Sequence, residues 1–180
     1  ITMSEKRQYT DEEIEALAEQ ASQNAMNHFK YGVSCGECTL KGFLDLGLTD
    51  FPAETVALAS GFGAGMGASR HTCGAVNGGM LIIGTTHGRR DPYALPTFEE
   101  RVDELNHPDT GVYARHGKYV REVITEFGSI ECRDLTFPFE DFHCKDRARK
   151  CKRIIGFCAK QATKAALKDW NASVLEDKQA

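Results

Sequence analysis

One glycine-rich stretch, residues 60–88, limits what this chain can fold into. It reads SGFGAGMGASRHTCGAVNGGMLIIGTTHG and holds nine of the 17 glycines, no acidic residue and one cysteine, Cys73. Each glycine weakens a helix by roughly 1 kcal/mol, but it lets another backbone or a bound group come close. So many glycines in one stretch indicate close packing or ligand binding around Cys73.

Hydrophobic periodicity predicts helices on both sides of this stretch. After a Thr10 cap with Glu13 at the capping-box position, residues 11–31 carry apolar side chains three and four apart. Further helices are predicted at 37–46, from Asp50 into the glycine stretch, from a Thr72 cap through Gly84, at 113–127, and from His143 to at least Trp170. Cys132 lies in a short segment ending at Pro138. No segment alternates like a strand.

The sequence therefore predicts an all-α fold, a single-domain helical bundle of about five to seven helices. A chain of 180 residues fits one domain. We assign the helical domain to residues 11–170, a flexible segment to residues 1–10 and a flexible tail to residues 171–180.

Composition and charge exclude several classes of partner. The formal net charge of -4 gives no reason to expect nucleic acid, and no apolar run reaches the roughly 20 residues of a bilayer span. The start of the chain lacks the apolar core of a signal peptide, so we expect a cytoplasmic protein. In that compartment thiols stay reduced, and the seven cysteines are interpreted as metal-binding, redox-active or buried residues.

Cys35 and Cys38 form a C-x-x-C pair at a predicted helix start, where the helix dipole favours thiolate. The βαβ context of a thioredoxin-like motif is absent. The same spacing also suits two ligands of one metal or cluster, so both uses stay open.

Three late cysteines, Cys144, Cys151 and Cys158, lie seven residues apart, which is about 10.5 Å on one helix. They are too far apart to serve one small site together. Cys158 lies within an apolar stripe and is interpreted as a core residue, which leaves Cys151 as the best candidate ligand. No C-x-x-C-H motif is present, so we expect no c-type haem.

Three other sequence features are candidates for a ligand-binding or catalytic role. Gly63, Gly65 and Ala68 imitate a dinucleotide-binding loop, but they follow a helical pattern rather than a strand, so we reject that function. His71, two residues before Cys73, is a candidate ligand or proton relay. The charged run at residues 145–153 is interpreted as a solvated helix face.

Five features follow one another along the chain: Cys35, SGFGAGMG at 60–67, TCGAVNGG at 72–79, FGSIEC at 127–132 and a late helical cysteine. This pattern resembles that of the C_GCAxxG_C_C family of redox-active proteins. The resemblance covers about residues 31–166. It implies four family cysteines, which correspond here to Cys35, Cys73, Cys132 and Cys151. The family is similar to the non-haem part of split-Soret cytochrome c, which implies an iron–sulfur centre. Cys38, Cys144 and Cys158 lie outside the family pattern.

From the residues and the resemblance together, we expect a small redox protein that binds an iron–sulfur cluster, such as [2Fe-2S], and acts in electron transfer. The four family cysteines are the expected ligands, with Cys38 and His71 as further candidates. Two alternatives stay open: a thiol–disulfide protein that uses Cys35 with Cys38 or Cys73, and a structural zinc-binding module. If the chain is an enzyme, we expect an oxidoreductase.

The expected partner is an electron donor or acceptor protein whose identity the sequence leaves open. The oligomeric state also stays open, with a homodimer as one arrangement.

Overall fold

The computed structural model describes residues 8–169, which contain seven α-helices and two 3₁₀ segments. The helices are α1 (Asp11–His28), α2 (Cys35–Leu44), α3 (Gly74–His87), α4 (Phe98–Asn106), α5 (Val112–Phe127), α6 (Cys132–Leu135) and α7 (Lys145–Leu167), and the 3₁₀ segments are Phe29–Tyr31 and Ala53–Phe62. Within this range the extended pairing is limited to one isolated antiparallel bridge between Thr72 and Glu131. The predicted all-α class is confirmed.

The first two helices begin as their capping residues dictate. Thr10 and Glu13 form the predicted capping box at the start of α1. Ser34 and Glu37 form a second one, which starts α2 at Cys35, two residues before the predicted start. The helix ends at Leu44 rather than at residue 46, just before Gly47 takes a left-handed φ of 65°.

Three further predictions from the sequence are wrong. Thr72 does not cap α3, because Cys73 occupies the N-cap position and makes no side-chain capping bond there. Residues 53–62 form a 3₁₀ segment instead of an α-helix. The last helix ends at Leu167, where the following residue turns extended at ψ 127°. Trp170, the predicted tail at 171–180 and most of the predicted segment at 1–10 lie outside the described residues.

Helix α4 was not predicted from the sequence. It starts with a capping box of Thr97 and Glu100, yet none of its residues is buried. The sequence did carry signals for this helix, because Phe98, Val102 and Leu105 lie at helical spacing after the capping box.

Helix α7 lies at the centre of the bundle and contacts α1, α2, α3 and α5. The largest fully buried side chains include Leu40, Phe43, Ile82, Ile83, Tyr119, Val123, Ile154 and Ile155. These residues come from α2, α3, α5 and α7, so one core joins the segments that carry the cysteines. In the described part of the chain, no helix combines the length and hydrophobicity that a bilayer crossing requires.

Buried glycines let the helices approach at backbone distance. A Cβ on Gly42 of α2 would lie 2.6 Å from the carbonyl oxygen of Ala21 in α1. A Cβ on Gly78 of α3 would lie 2.6 Å from the carbonyl oxygen of Gly36 in α2. Both spacings are too short for a side chain, so α1, α2 and α3 pack through these glycines.

Residues 64–70 form a loop, here called the left-handed loop, with an unusual backbone. Positive φ angles occur at Ala64, Gly65, Met66, Gly67, Ala68 and Arg70, and four of these residues are not glycine. Left-handed backbone costs a residue with a side chain roughly 1–2 kcal/mol. Backbone hydrogen bonds stabilise the left-handed loop. The Gly67 N–H donates to the Gly61 carbonyl at 2.7 Å, and the Ala68 N–H donates to the Gly63 carbonyl at 3.0 Å.

Substitutions at Met66 can test this strain, because the residue has a φ of 59° and is 49% exposed. We expect Met66→Gly to raise the free energy of unfolding by up to about 1 kcal/mol, since glycine removes the left-handed cost. We expect Met66→Val to lower it by about 1 kcal/mol or more, because a β-branched side chain fits this backbone worst. Urea denaturation of both variants checks the opposite signs. Equal stability of the two variants would contradict a strained loop.

Candidate functional site

Four cysteines from four different segments line one partly enclosed cavity of about 370 Å³. They are Cys35, Cys73, Cys132 and Cys151. The rest of the lining is mostly apolar: Phe29, Gly63, Ala64, Ala68, Ala75, Leu135, Phe142, Ile154 and Ile155, joined by Ser34, Thr136 and Arg147. The structure thus brings together all four cysteines that the family pattern singled out.

Backbone pairing places Cys73 and Cys132 next to each other. The Cys73 N–H donates to the Ile130 carbonyl at 2.8 Å, and the Cys132 N–H donates to the His71 carbonyl at 2.8 Å. These bonds flank the Thr72–Glu131 bridge. The spacing of the two cysteines therefore depends on the backbone and not on their side chains.

Cys73 also lies at the start of α3, where free backbone N–H groups point outward. The N–H groups of Ala75 and Val76 lie near its sulfur and partly oppose the rise in its pKa, although neither forms a capping hydrogen bond with it. Such donors stabilise negative charge on sulfur and tune a metal-bound thiolate. Cys73 is 8% exposed, so this environment is nearly dry.

Two glycines make room for the other cysteines. A Cβ on Gly74 would lie 2.5 Å from the Sγ atom of Cys35, which is the first residue of α2. A Cβ on Gly65 would lie 2.7 Å from the Cβ atom of Cys132, the first residue of α6. The glycine-rich stretch therefore forms the wall against which these two cysteines pack.

Cys151 reaches the cavity from the second turn of α7. Its Sγ atom accepts a hydrogen bond of 3.7 Å from the Nη1 atom of Arg147, one turn earlier. Arg147 also lines the cavity. The interpretation of the charges at residues 145–153 as a solvated helix face is thus wrong for Arg147.

Burial favours the protonated form of three cavity thiols, those of Cys73, Cys132 and Cys151. Burial raises the pKa of Cys73 well above its usual value, with further increases from Cys158 and Cys35. Burial likewise raises the pKa of Cys132 and of Cys151, against the opposing charges of Arg70 and Arg147 respectively. A compensating positive charge near these three thiols would favour their ionised form.

The remaining sequence candidates lie outside the cavity. Cys38 is fully buried, donates to the Val33 carbonyl at 3.3 Å and has its pKa raised to about 12 by burial and neighbouring charges. Cys158 is a core residue, as expected, and burial raises its pKa to about 12. Cys144 is the N-cap of α7. The His71 side chain is 62% exposed, and its Nδ1 atom lies 3.7 Å from the Oε2 atom of Glu131.

Three residues of the site escaped the sequence reasoning. The Cζ atoms of Arg147 and Arg70 lie 3.8 Å and 5.0 Å from the ring centroid of Phe142. Arg70 also donates to the Oγ1 atom of Thr136 at 2.6 Å. The position of Arg147 one turn before Cys151 was a usable signal, whereas nothing in the sequence indicates that Arg70 reaches Phe142.

The four cysteines line the cavity without converging on one point. Among residues 8–169, no three Cys, His, Asp or Glu side chains converge closely enough to hold a single metal ion. A tetrahedral zinc ion would draw all four sulfurs to about 2.3 Å from one centre. The observed arrangement has room for a group of several atoms.

Comparison with known proteins gives one match. The family model described as "Putative redox-active protein (C_GCAxxG_C_C)" matches residues 33–165, a range that includes all four cavity cysteines. No curated protein and no solved structure gives a significant match to the chain.

Proposed function

Because the chain belongs to the C_GCAxxG_C_C family of redox-active proteins, we propose that it binds an iron–sulfur cluster and transfers electrons. The observation that carries this proposal is the placing of Cys35, Cys73, Cys132 and Cys151 around one largely apolar cavity. Four cysteine thiolates are the usual ligand set of iron–sulfur clusters. A [2Fe-2S] cluster is our first candidate.

The lining of the cavity fits such a group in size and in chemistry. Its volume of about 370 Å³ exceeds what one metal ion needs, and its walls exclude most polar groups. The glycines at 65 and 74 leave space that a Cβ would fill next to Cys132 and Cys35. When bound, the cluster supplies a one-electron couple; one electron enters from a reduced carrier protein and leaves to an oxidised one.

The chain's own residues hold and tune the bound group. The N–H groups of Ala75 and Val76 lie near the Cys73 sulfur and favour its negative form, and Arg147 donates to the Cys151 sulfur. Donors that point at ligand sulfurs stabilise the more negative state, and dry walls strengthen that effect. Ile154 and Ile155 keep water from the inner side of the cavity.

The raised pKa values of Cys38 and of three cavity thiols favour a metal-bound role over thiol–disulfide exchange at those residues. Attack on a disulfide needs a thiolate, but burial raises the pKa of Cys38, Cys73, Cys132 and Cys151. A metal centre displaces the protons and supplies the missing positive charge. The proposed pair of Cys35 and Cys38 is further weakened because Cys38 lies outside the cavity.

Anaerobic purification, followed by reconstitution with iron and sulfide, tests the proposal. We expect a brown protein with iron and acid-labile sulfide in equal amounts, about two of each per chain for a [2Fe-2S] cluster, and bleaching of the visible bands by dithionite. A colourless, metal-free protein with a titratable disulfide would overturn the proposal in favour of thiol–disulfide chemistry. Zinc at one atom per chain would identify the structural metal module instead.

A further inference from the structure

Two arginines share one aromatic ring at the edge of the cysteine cavity. The guanidinium carbon of Arg147 lies 3.8 Å from the ring centroid of Phe142, and that of Arg70 lies 5.0 Å from it. Phe142 and Arg147 line the cavity, and Arg70 is bonded to Thr136, another lining residue. Two like charges this close repel each other, so their arrangement calls for a negative group nearby.

The described part of the chain supplies no such group from its carboxylates. Neither Arg70 nor Arg147 has a carboxylate within ion-pair distance in residues 8–169, whereas Arg89, Arg90, Arg149 and Arg153 each form one. The Nε atoms of Arg70 and Arg147 are both buried and have no hydrogen-bond partner in that range. Buried donors without a partner are costly, so an occupant of the cavity is the natural acceptor.

Arg70 is held in place by strained backbone. Its φ is 67°, the last of the positive angles in the left-handed loop. Its N–H donates to the Ala64 carbonyl at 3.2 Å, and its own carbonyl accepts from the Arg133 N–H at 3.0 Å. Strain of this kind persists where the surrounding structure requires one placement of a side chain, and here it brings Arg70 to Phe142.

We infer that Arg70, Phe142 and Arg147 form a two-cation cap that makes the cysteine cavity selective for a net anionic group and stabilises its reduced, more negative form. The identity of that group rests on the proposed function, but the charge of the cap does not. A [2Fe-2S] cluster with four thiolates carries two negative charges when oxidised, which two arginines balance. Phe142 holds the two guanidinium groups at the edge of the cavity, and their positive charges favour an anionic occupant.

The metal-free, reduced protein offers a test that needs no cluster. The anionic reagent 5,5′-dithiobis(2-nitrobenzoate) and the neutral reagent 2,2′-dithiodipyridine both react by thiolate attack on their disulfide, forming a mixed disulfide and releasing one aromatic thiol or thione. The rate ratio of the two reagents, measured at Cys151 and Cys35 by peptide mass spectrometry, reports the field at the cavity. Both cysteines are partly exposed.

We expect the anionic-to-neutral rate ratio to fall roughly threefold to tenfold in Arg147→Met, and also to fall in Arg70→Met. Arg147→Lys should keep most of the ratio because it keeps the charge. Arg153→Met is the matched control, since Arg153 also lies on α7 and its Cζ atom lies 5.3 Å from the ring centroid of a phenylalanine, Phe127. Neither Arg153 nor Phe127 lines the cavity. Arg153→Met should leave the ratio unchanged.

The unsubstituted protein keeps the test decisive if a variant fails to fold. Raising the salt from about 0.05 M to about 0.5 M should lower its anionic-to-neutral ratio, because salt screens the cap. A salt-independent ratio, or an equal ratio in Arg147→Met, Arg70→Met and Arg153→Met, overturns the cap.

In cluster-loaded protein, Arg147→Met should have a more negative midpoint potential than Arg153→Met. A tenfold change in the reduction equilibrium corresponds to about 59 mV for one electron. Equal potentials in a loaded protein overturn the cap while the proposed function stands. A charge-dependent ratio in a protein that takes up no iron supports the cap while the proposed function fails.

Discussion

Replacing Cys73 by alanine is expected to abolish iron and sulfide binding, whereas Cys158→Ala should leave both in place. Cys73 lines the cavity at the N-terminus of α3, where the backbone N–H groups of Ala75 and Val76 lie near its sulfur. Cys158 is a fully buried residue of α7 that does not line the cavity. Iron and acid-labile sulfide per chain, measured after identical anaerobic reconstitution of both variants, check this expectation.

The two substitutions form a matched pair because both remove a buried sulfur. Cys158→Ala should cost about 1–2 kcal/mol of unfolding free energy through the small cavity that it leaves. Cys73→Ala should keep the local backbone, since the bonds from Cys73 to Ile130 and from Cys132 to His71 involve only main-chain atoms. If both variants lose iron equally, the cysteine assignment is wrong for the last helix.

Gly78→Ala is expected to destabilise the fold by about 2–3 kcal/mol, among the largest effects of any single added methyl group. The new Cβ would lie 2.6 Å from the Gly36 carbonyl oxygen and 2.8 Å from the Cβ atom of Thr39. Both contacts belong to α2, so relief requires α2 and α3 to move apart and to disturb Cys35. Urea denaturation with a constant m-value checks the loss.

Gly84→Ala, on the same helix, is the control. A Cβ at Gly84 meets nothing within 4 Å, and the residue lies inside α3. Alanine favours helix over glycine, so this variant should be more stable by up to about 1 kcal/mol. A similar loss in both variants would mean that the helix tolerates no substitution and that close packing at Gly78 is not the cause.

Local signals in the sequence predicted the elements that depend on local physics. The Thr10 and Glu13 capping box starts α1 as predicted, and Gly128 follows α5 with a left-handed φ of 80°. The boundaries at Cys73 and at residues 53–62 were wrong because tertiary contacts decide them. The Cys73 N–H pairs with Ile130, a partner far away in sequence.

The cysteines that line the cavity could be predicted from the sequence, but the arginines at its edge could not. The spacing of Cys144, Cys151 and Cys158 shows that they cannot all serve one small site, and the apolar stripe around Cys158 and the family resemblance pointed to Cys151, which lines the cavity. Whether these cysteines bind a cluster stays a prediction. Arg70 reaches Phe142 only because six of the seven residues at 64–70 have positive φ, and periodicity carries no information on such backbone.

The four cavity cysteines also determine when the site can form during synthesis. They come from α2, the start of α3, α6 and α7, so Cys35 leaves the ribosome first and Cys151 last. At about 5–20 residues per second, several seconds separate the two. The nascent chain offers three of the thiols before the helix that carries the fourth has been made. If the cavity binds a cluster as proposed, the complete ligand set exists only after α7 has been synthesised, and by then α2, α3 and α6 have already left the ribosome.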